Sequence, residues 1–228
     1  MGRTKGGDLV SPTEQVDGLG QLFLFYEEAS VLGALVARIV PGDERDPGAR
    51  EAGVVTYIDR ALAGPYAEWQ FAYREGLRLL NAHAIEKHGV SFHALSEIDQ
   101  DTIVASLEAN QVPGFGGNGS ADFFAMVWAH TIEGLLCDPA YGGNRNGVGW
   151  KLIGFPGAQY GYAAEEMQYG TDLTTKPLMT LADIGRLAQD RPDLFYSRSA
   201  SFVPPSREEI PRMPSEENTL DTVRSQGA

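Results

Sequence analysis

Four places in this 228-residue chain hold residue types that could do chemistry. The run "GFGGNG", Gly114 to Gly119, matches G-x-G-x-x-G letter for letter. That pattern cradles a pyrophosphate only where a strand feeds it and a helix receives it. A helical pattern precedes it here and no βαβ unit surrounds it, so the glycines read as a helix–helix loop. Asn118-Gly119-Ser120 is also a formal glycosylation sequon, but Ser120 reads better as a helix N-cap.

His130 and Glu133 are the second place. They sit three apart on an apolar helical run, in the reverse order of the Glu-x-x-His pair that di-iron bundles repeat on two helices. No second copy occurs. His83 and His88, five apart, fall on different helix faces, and His93 completes the four histidines. A structural histidine is the stronger reading of His130, with a helical metal-dependent enzyme using His130 and Glu133 as the alternative. Metal ligands are otherwise not indicated.

The third place, "NRNG" at Asn144 to Gly147, resembles part of a calcium loop. The first acidic ligand would fall at Gly142 and the closing glutamate at Ile153, so the spacing does not serve calcium. The fourth is Cys137, the one cysteine, which can form neither an internal disulfide nor a thiolate cluster. The chain shows no nucleophile elbow and no P-loop. Adjacent carboxylates such as Glu27-Glu28 and Glu165-Glu166 read as solvated. The expectation is a chain with no catalytic, cofactor-binding or metal site of its own.

The elements that would position these residues are helical. Leu22, Phe25, Tyr26, Ala29, Leu32, Leu35, Val36 and Ile39 recur at helical spacing, and Pro41-Gly42 stops them. A second helix is expected from about Ala49 to Leu62, with Val54, Val55, Ile58 and Leu62 inward. A third runs from Ala67 to about His88, its apolar stripe carried by Trp69, Phe71 or Ala72, Tyr73, Leu77, Leu80 and Ala84, with Gly89 as its stop. Ser96 and Asp99 read as a capping box opening a fourth, through Ile98, Ile103, Val104 and Leu107. The fifth, Ala121 to about Cys137, is apolar almost all round and is expected to be central and buried. Alternation typical of strands is lacking. The fold class is all-α: about five main helices, a long glycine-rich loop and an extended C-terminal arm. The expected division is a flexible segment at 1–19, a helical domain at 20–170 and a proline-rich arm at 171–228.

That loop, "CDPAYGGNRNGVGWKLIGFPG" from Cys137 to Gly157, carries six glycines and three large aromatics. Tyr141, Trp150 and Phe155 are anchors of the kind that dominate interfaces. Asn144, Arg145 and Lys151 add polar contacts. Packing on its own helices and packing on a partner are both open, since each uses aromatic burial. Thr180 caps a short helix expected at Thr180 to Gln189. In the arm beyond it, Phe195, Tyr196 and Phe202 are apolar beads suited to lying along a surface.

A net charge of −13 excludes a phosphate-binding face for nucleic acid and a polybasic membrane contact. No apolar run is long enough to span a bilayer. The N-terminal residues lack an apolar signal region and a twin arginine, which for the chain as given favours the cytoplasm.

The run "GLLCDPAYGGNRNGVGWKLIGFPG" closely resembles the hallmark of the gluconate 2-dehydrogenase subunit 3 family, the gamma or small subunit. "PGDERDPGAREAGVVTYIDRALAGPY" and "YREGLRLLNAHAIEKHGVSFHALSEIDQDTIVASLE" resemble its other signatures. The resemblance covers about Phe25 to Tyr162. It implies a non-catalytic helical subunit of an FAD-dependent sugar or alcohol dehydrogenase or oxidase complex. The implied partner is a glucose–methanol–choline type flavoprotein that holds the FAD, with a cytochrome c subunit carrying haem in many such complexes. The implied role is to support folding, FAD loading or export of that catalytic subunit; a transient assembly chaperone is the variant reading. Many members carry a twin-arginine leader to the periplasm, and this sequence departs from that. In an exported complex Cys137 could bridge to the large subunit; the alternative is a buried free thiol.

Overall fold

Most helix starts and stops follow local chemistry. In the computed structural model, residues 22–192 and 194 are described, apart from Glu44 and Asn118. Among them lie seven α-helices and no strand: α1 (Tyr26–Ile39), α2 (Val54–Leu62), α3 (Gln70–His88), α4 (Glu97–Glu108), α5 (Ser120–Leu136), α6 (Val148–Leu152) and α7 (Leu181–Asp190). The all-α expectation holds, and its five main helices are α1 to α5. The added helix is α6, inside the glycine-rich loop. Phe195, Tyr196 and Phe202 lie outside the described residues.

Several boundaries differ from the sequence reading. The first helix begins at Tyr26 because Leu22, Phe23 and Leu24 are drawn aside by Asp59. Its buried carboxylate accepts their three backbone N–H groups at 2.7, 2.9 and 2.8 Å. Leu22, Phe25 and Tyr26, expected inward, are exposed, and Leu24 is buried instead. The second helix starts at Val54, not Ala49, because Gly53 takes φ +72°, which a helix interior does not accept. On α4, Ile98 is 79% exposed while Ile103 and Leu107 enter the core. Ser96 caps α4, its Oγ accepting the Asp99 N–H at 3.3 Å. The third helix starts at Gln70 after a 3-10 turn over Ala67–Trp69, and leaves Trp69 and Phe71 exposed while Tyr73, Leu77, Leu80 and Ala84 are buried. It ends as expected, at a left-handed Gly89.

Helix α5 is central, with α1, α2, α3, α4 and α6 all packed on it. It is not buried all round: Trp128 is half exposed, while Phe123, Val127, His130, Thr131 and Leu135 face inward. A helix touched by five others still keeps one solvent stripe, and Trp128 lies on it. The core joins these side chains to Leu32, Leu35, Ile58, Leu62, Tyr73, Leu77, Leu80, Phe92 and Leu107. Burial on this scale contributes about 25 cal/mol per Å² of apolar surface.

The chain divides into two units, one ending at Ile184 and one beginning at Gly185. Residues 171–184 therefore belong with the helical body. Met179 forms a parallel bridge with Gly157, and its backbone exchanges hydrogen bonds with Ala158 and Pro156 at 2.7 and 3.0 Å. Thr180 and Asp183 cap α7 reciprocally: Thr180 Oγ1 accepts the Asp183 N–H, and Asp183 Oδ2 accepts the Thr180 N–H. In the second unit, Arg191 N–H donates to Leu187 O as the helix ends. No described helix is long and apolar enough to cross a membrane.

Candidate functional site

The C-terminal end of α5 leaves carbonyls that no further helical turn can satisfy. The glycine-rich loop supplies their partners. Asn144 N–H donates to Gly134 O at 2.8 Å, and its Nδ2 to Cys137 O at 2.8 Å. Trp150 Nε1 donates to Leu136 O at 2.7 Å. Asn144 Oδ1 in turn accepts the Gly149 N–H at 2.8 Å, so one amide ties the start of the loop to α6. Asn144 takes a left-handed conformation that asparagine tolerates, and it is fully buried.

These contacts explain two of the glycines. A Cβ at Gly143 would lie 2.1 Å from Gly134 O, and one at Gly149 would lie 2.0 Å from Leu135 O. Neither needs a positive φ. Both are required because loop backbone lies directly on helix backbone. Asp138 closes the arrangement from the other side. Its two carboxylate oxygens accept the Ala140 and Leu181 N–H groups at 2.9 and 2.8 Å, joining the loop to the start of α7.

The loop residues named from sequence thus separate into two sets. Asn144 and Trp150 are turned into their own chain, with Trp150 only 5% exposed and Phe155 set edge-on against its ring at 5.4 Å. Arg145 fixes backbone as well, its N–H donating to Ala52 O at 2.9 Å, while its side chain is exposed beside Gly53. Tyr141 and Phe155 are 58% and 43% exposed, and Lys151 is exposed. Leu152, Ile153, Tyr160 and Tyr162 are exposed as well. Cys137 is half-buried, its thiol 3.6 Å from Gly134 O, and burial pushes its pKa up.

His130 belongs to a cluster of aromatics. Its ring lies between Tyr66 and Tyr73, stacked at 4.7 and 5.8 Å, and its Nδ1 shares a 2.9 Å hydrogen bond with the Tyr73 hydroxyl. Burial lowers its pKa and so favours the neutral ring. Tyr57 and Tyr66 both donate to Glu133 Oε2 at 3.1 Å; desolvation first raises the pKa of each, followed by the Glu133 charge for Tyr57 and by the hydrogen bond to Glu133 for Tyr66. His130 and Glu133 therefore serve separate hydrogen bonds. Among the described residues, no group of three or more His, Cys, Asp or Glu side chains could hold a metal ion.

The glycine pattern at Gly114 to Gly119 joins α4 to α5, as its helical context implied. Ser120 is not the N-cap but the first residue of α5, and its hydroxyl donates to Leu107 O at 2.9 Å. Asn110 Oδ1 accepts the Ala121 N–H at 3.4 Å in its place. A Cβ at Gly119 would lie 2.0 Å from that oxygen.

Sequence reasoning passed over Asp59, Asp138 and the tyrosines around His130. Tyr73 carried a signal, since it falls at helical spacing with Leu77, Leu80 and Ala84, while Tyr66 lies in the break after Gly64-Pro65 and carried none. Asp59 and Asp138 carried none, because a lone aspartate among apolar residues does not reveal which N–H groups it will collect.

No curated protein and no solved structure matches the chain. A family model described as gluconate 2-dehydrogenase subunit 3 matches residues 26–157, which takes in α1 to α6 and the whole glycine-rich loop. With more than half of its length matched, the chain belongs to the gluconate 2-dehydrogenase subunit 3 family.

Proposed function

We propose that this chain is the non-catalytic small subunit of an FAD-dependent sugar or alcohol dehydrogenase complex. It binds a glucose–methanol–choline type flavoprotein and supports that chain's folding and FAD loading. The family name makes it one component of a gluconate dehydrogenase type of assembly; the flavoprotein partner and the maturation role are our reading. A cytochrome c subunit is compatible with it, and FAD and haem are assigned to the other chains.

One observation carries the reading furthest. The loop caps its own helix through Asn144 and Trp150 yet leaves Tyr141, Phe155 and Lys151 outward beside Leu152 and Ile153. A loop held rigidly by buried hydrogen bonds presents its exposed aromatics already ordered, which lowers the entropic cost of association. Exposed aromatics of this kind are interface anchors. Binding the folded flavoprotein but not its unfolded chain stabilises the folded state by mass action.

The test is co-expression with the flavoprotein of the same organism, followed by purification through a tag on this chain. The expected result is stoichiometric recovery of a yellow, FAD-containing chain. Purification of this chain alone, colourless, from cells that make the flavoprotein in soluble form would overturn the proposal.

A further inference from the structure

A second apolar surface lies on α3 and the first half of α5. Phe71 is 80% exposed there, the kind of burial-ready aromatic that marks a contact site when it stands in a larger apolar patch. Two cavities flank it, of about 460 and 540 Å³, and Phe71 and Glu75 line both. Phe25, Val31 and Leu77 line the first; Leu79, Phe115 and Met126 line the second. The helices can come together here because Gly76 lies under the Phe123 ring, where a Cβ would fall 2.2 Å from a ring carbon. Trp69 stands half exposed at the margin.

The charges on this face leave a remainder. Arg74 pairs with Glu28 at 3.3 Å, and Arg78 with Glu75 at 2.6 Å. Glu27 lines the first cavity and Asp122 the second, and neither has a cation or a hydrogen bond among the described residues. The occupant that answers this surface is apolar on both sides of Phe71 and cationic at two points. A second copy of this chain would bring the same carboxylates against themselves, with −13 on each chain. An anionic membrane has the wrong sign.

We propose that this face is a second docking surface, separate from the glycine-rich loop. Its occupant is a segment of the flavoprotein with apolar side chains straddling Phe71 and a Lys or Arg reaching each of Glu27 and Asp122. The proposal rests on the reading of this chain as a flavoprotein's small subunit. Exposed ion pairs are individually weak, so the two carboxylates act together with the apolar contact.

The experiment places a photo-crosslinking benzoyl-phenylalanine at position 71 of the full chain, and in a second preparation at position 141, each co-expressed with the flavoprotein. Position 71 is expected to link to a flavoprotein peptide holding apolar residues beside Lys or Arg. The double variant Glu27→Gln/Asp122→Asn is expected to bind the flavoprotein about tenfold more weakly at low salt, with a shallower salt dependence. Links from position 71 only to this chain or a second copy, or none, while position 141 still reaches the flavoprotein, would overturn this surface alone. Failure of both positions to reach the flavoprotein would overturn the underlying reading as well.

Discussion

The indole N–H of Trp150 donates to the carbonyl oxygen of Leu136, 2.7 Å away, across fourteen residues of chain. The bond makes a loop residue part of the α5 terminus. Replacing Trp150 by Phe keeps most of the apolar volume and strands that carbonyl, at an expected cost of about 1–2 kcal/mol. Trp150→Ala also empties the site under Phe155 and is expected to cost about 3–5 kcal/mol. Urea unfolding followed by circular dichroism reads both, and equal midpoints for Trp150→Phe and wild type would refute the capping role.

Glycine should be replaceable only where nothing lies above it. Gly149→Ala forces a methyl onto Leu135 O and is expected to destabilise by about 1–3 kcal/mol. Gly161→Ala meets no atom within 4 Å and is expected to change stability by less than about 0.5 kcal/mol. Thermal unfolding of the pair separates close approach from mere loop flexibility; similar losses at both positions would favour flexibility.

Stability should fall as pH drops below the ordinary histidine value near 6.5. Burial lowers the folded-state pKa of His130, so in that window the unfolded chain binds more protons than the folded one. The stabilisation is present above the unfolded pKa and is lost progressively as pH falls toward the folded one. His83, lowered by its own desolvation, adds in the same direction. His130→Gln should therefore flatten, not abolish, the dependence of the urea midpoint between pH 7.5 and 5.5. An unchanged slope would place the effect elsewhere.

The half-buried Cys137 thiol, its pKa raised by desolvation, is expected to react slowly with Ellman's reagent in the folded chain and fast in urea. The purified complex is expected to show no dithiothreitol-sensitive heterodimer band on non-reducing electrophoresis. Such a band would establish a bridge to the large subunit.

Much of this architecture was legible in the sequence, and the failures have identifiable causes. The stop at Gly89, the cap at Ser96 and the Thr180–Asp183 pair rest on contacts within a few residues, which sequence spacing encodes. Tyr26 as the first residue of α1 depends on Asp59, more than thirty residues away, and periodicity carries no trace of it. The exposure of Ile98 and Trp128 is a tertiary choice too, since apolar residues outnumbered the inward positions on α4 and α5. In the glycine-rich loop, sequence left self-packing and partner-packing open because glycine and aromatics serve both. The structure divides the loop: Asn144 and Trp150 inward, Tyr141, Lys151 and Phe155 outward.

Tyr141→Ala/Phe155→Ala should therefore separate binding from folding. Tyr141 is 58% exposed, whereas Phe155 still packs on the Trp150 ring, so the chain is expected to stay folded with a loss of about 1–2 kcal/mol read from the urea midpoint. Recovery of the flavoprotein on the tagged chain is expected to fall at least about tenfold, as anchor residues at an interface require. Unchanged recovery would move the contact off this loop.

The most direct test of the account is the FAD content of the flavoprotein made with and without this chain. Per mole of soluble flavoprotein, near-stoichiometric FAD is expected when the two are co-expressed, and a depleted or insoluble flavoprotein when this chain is omitted. Equal soluble yield and equal FAD occupancy in both preparations would contradict a role in maturation.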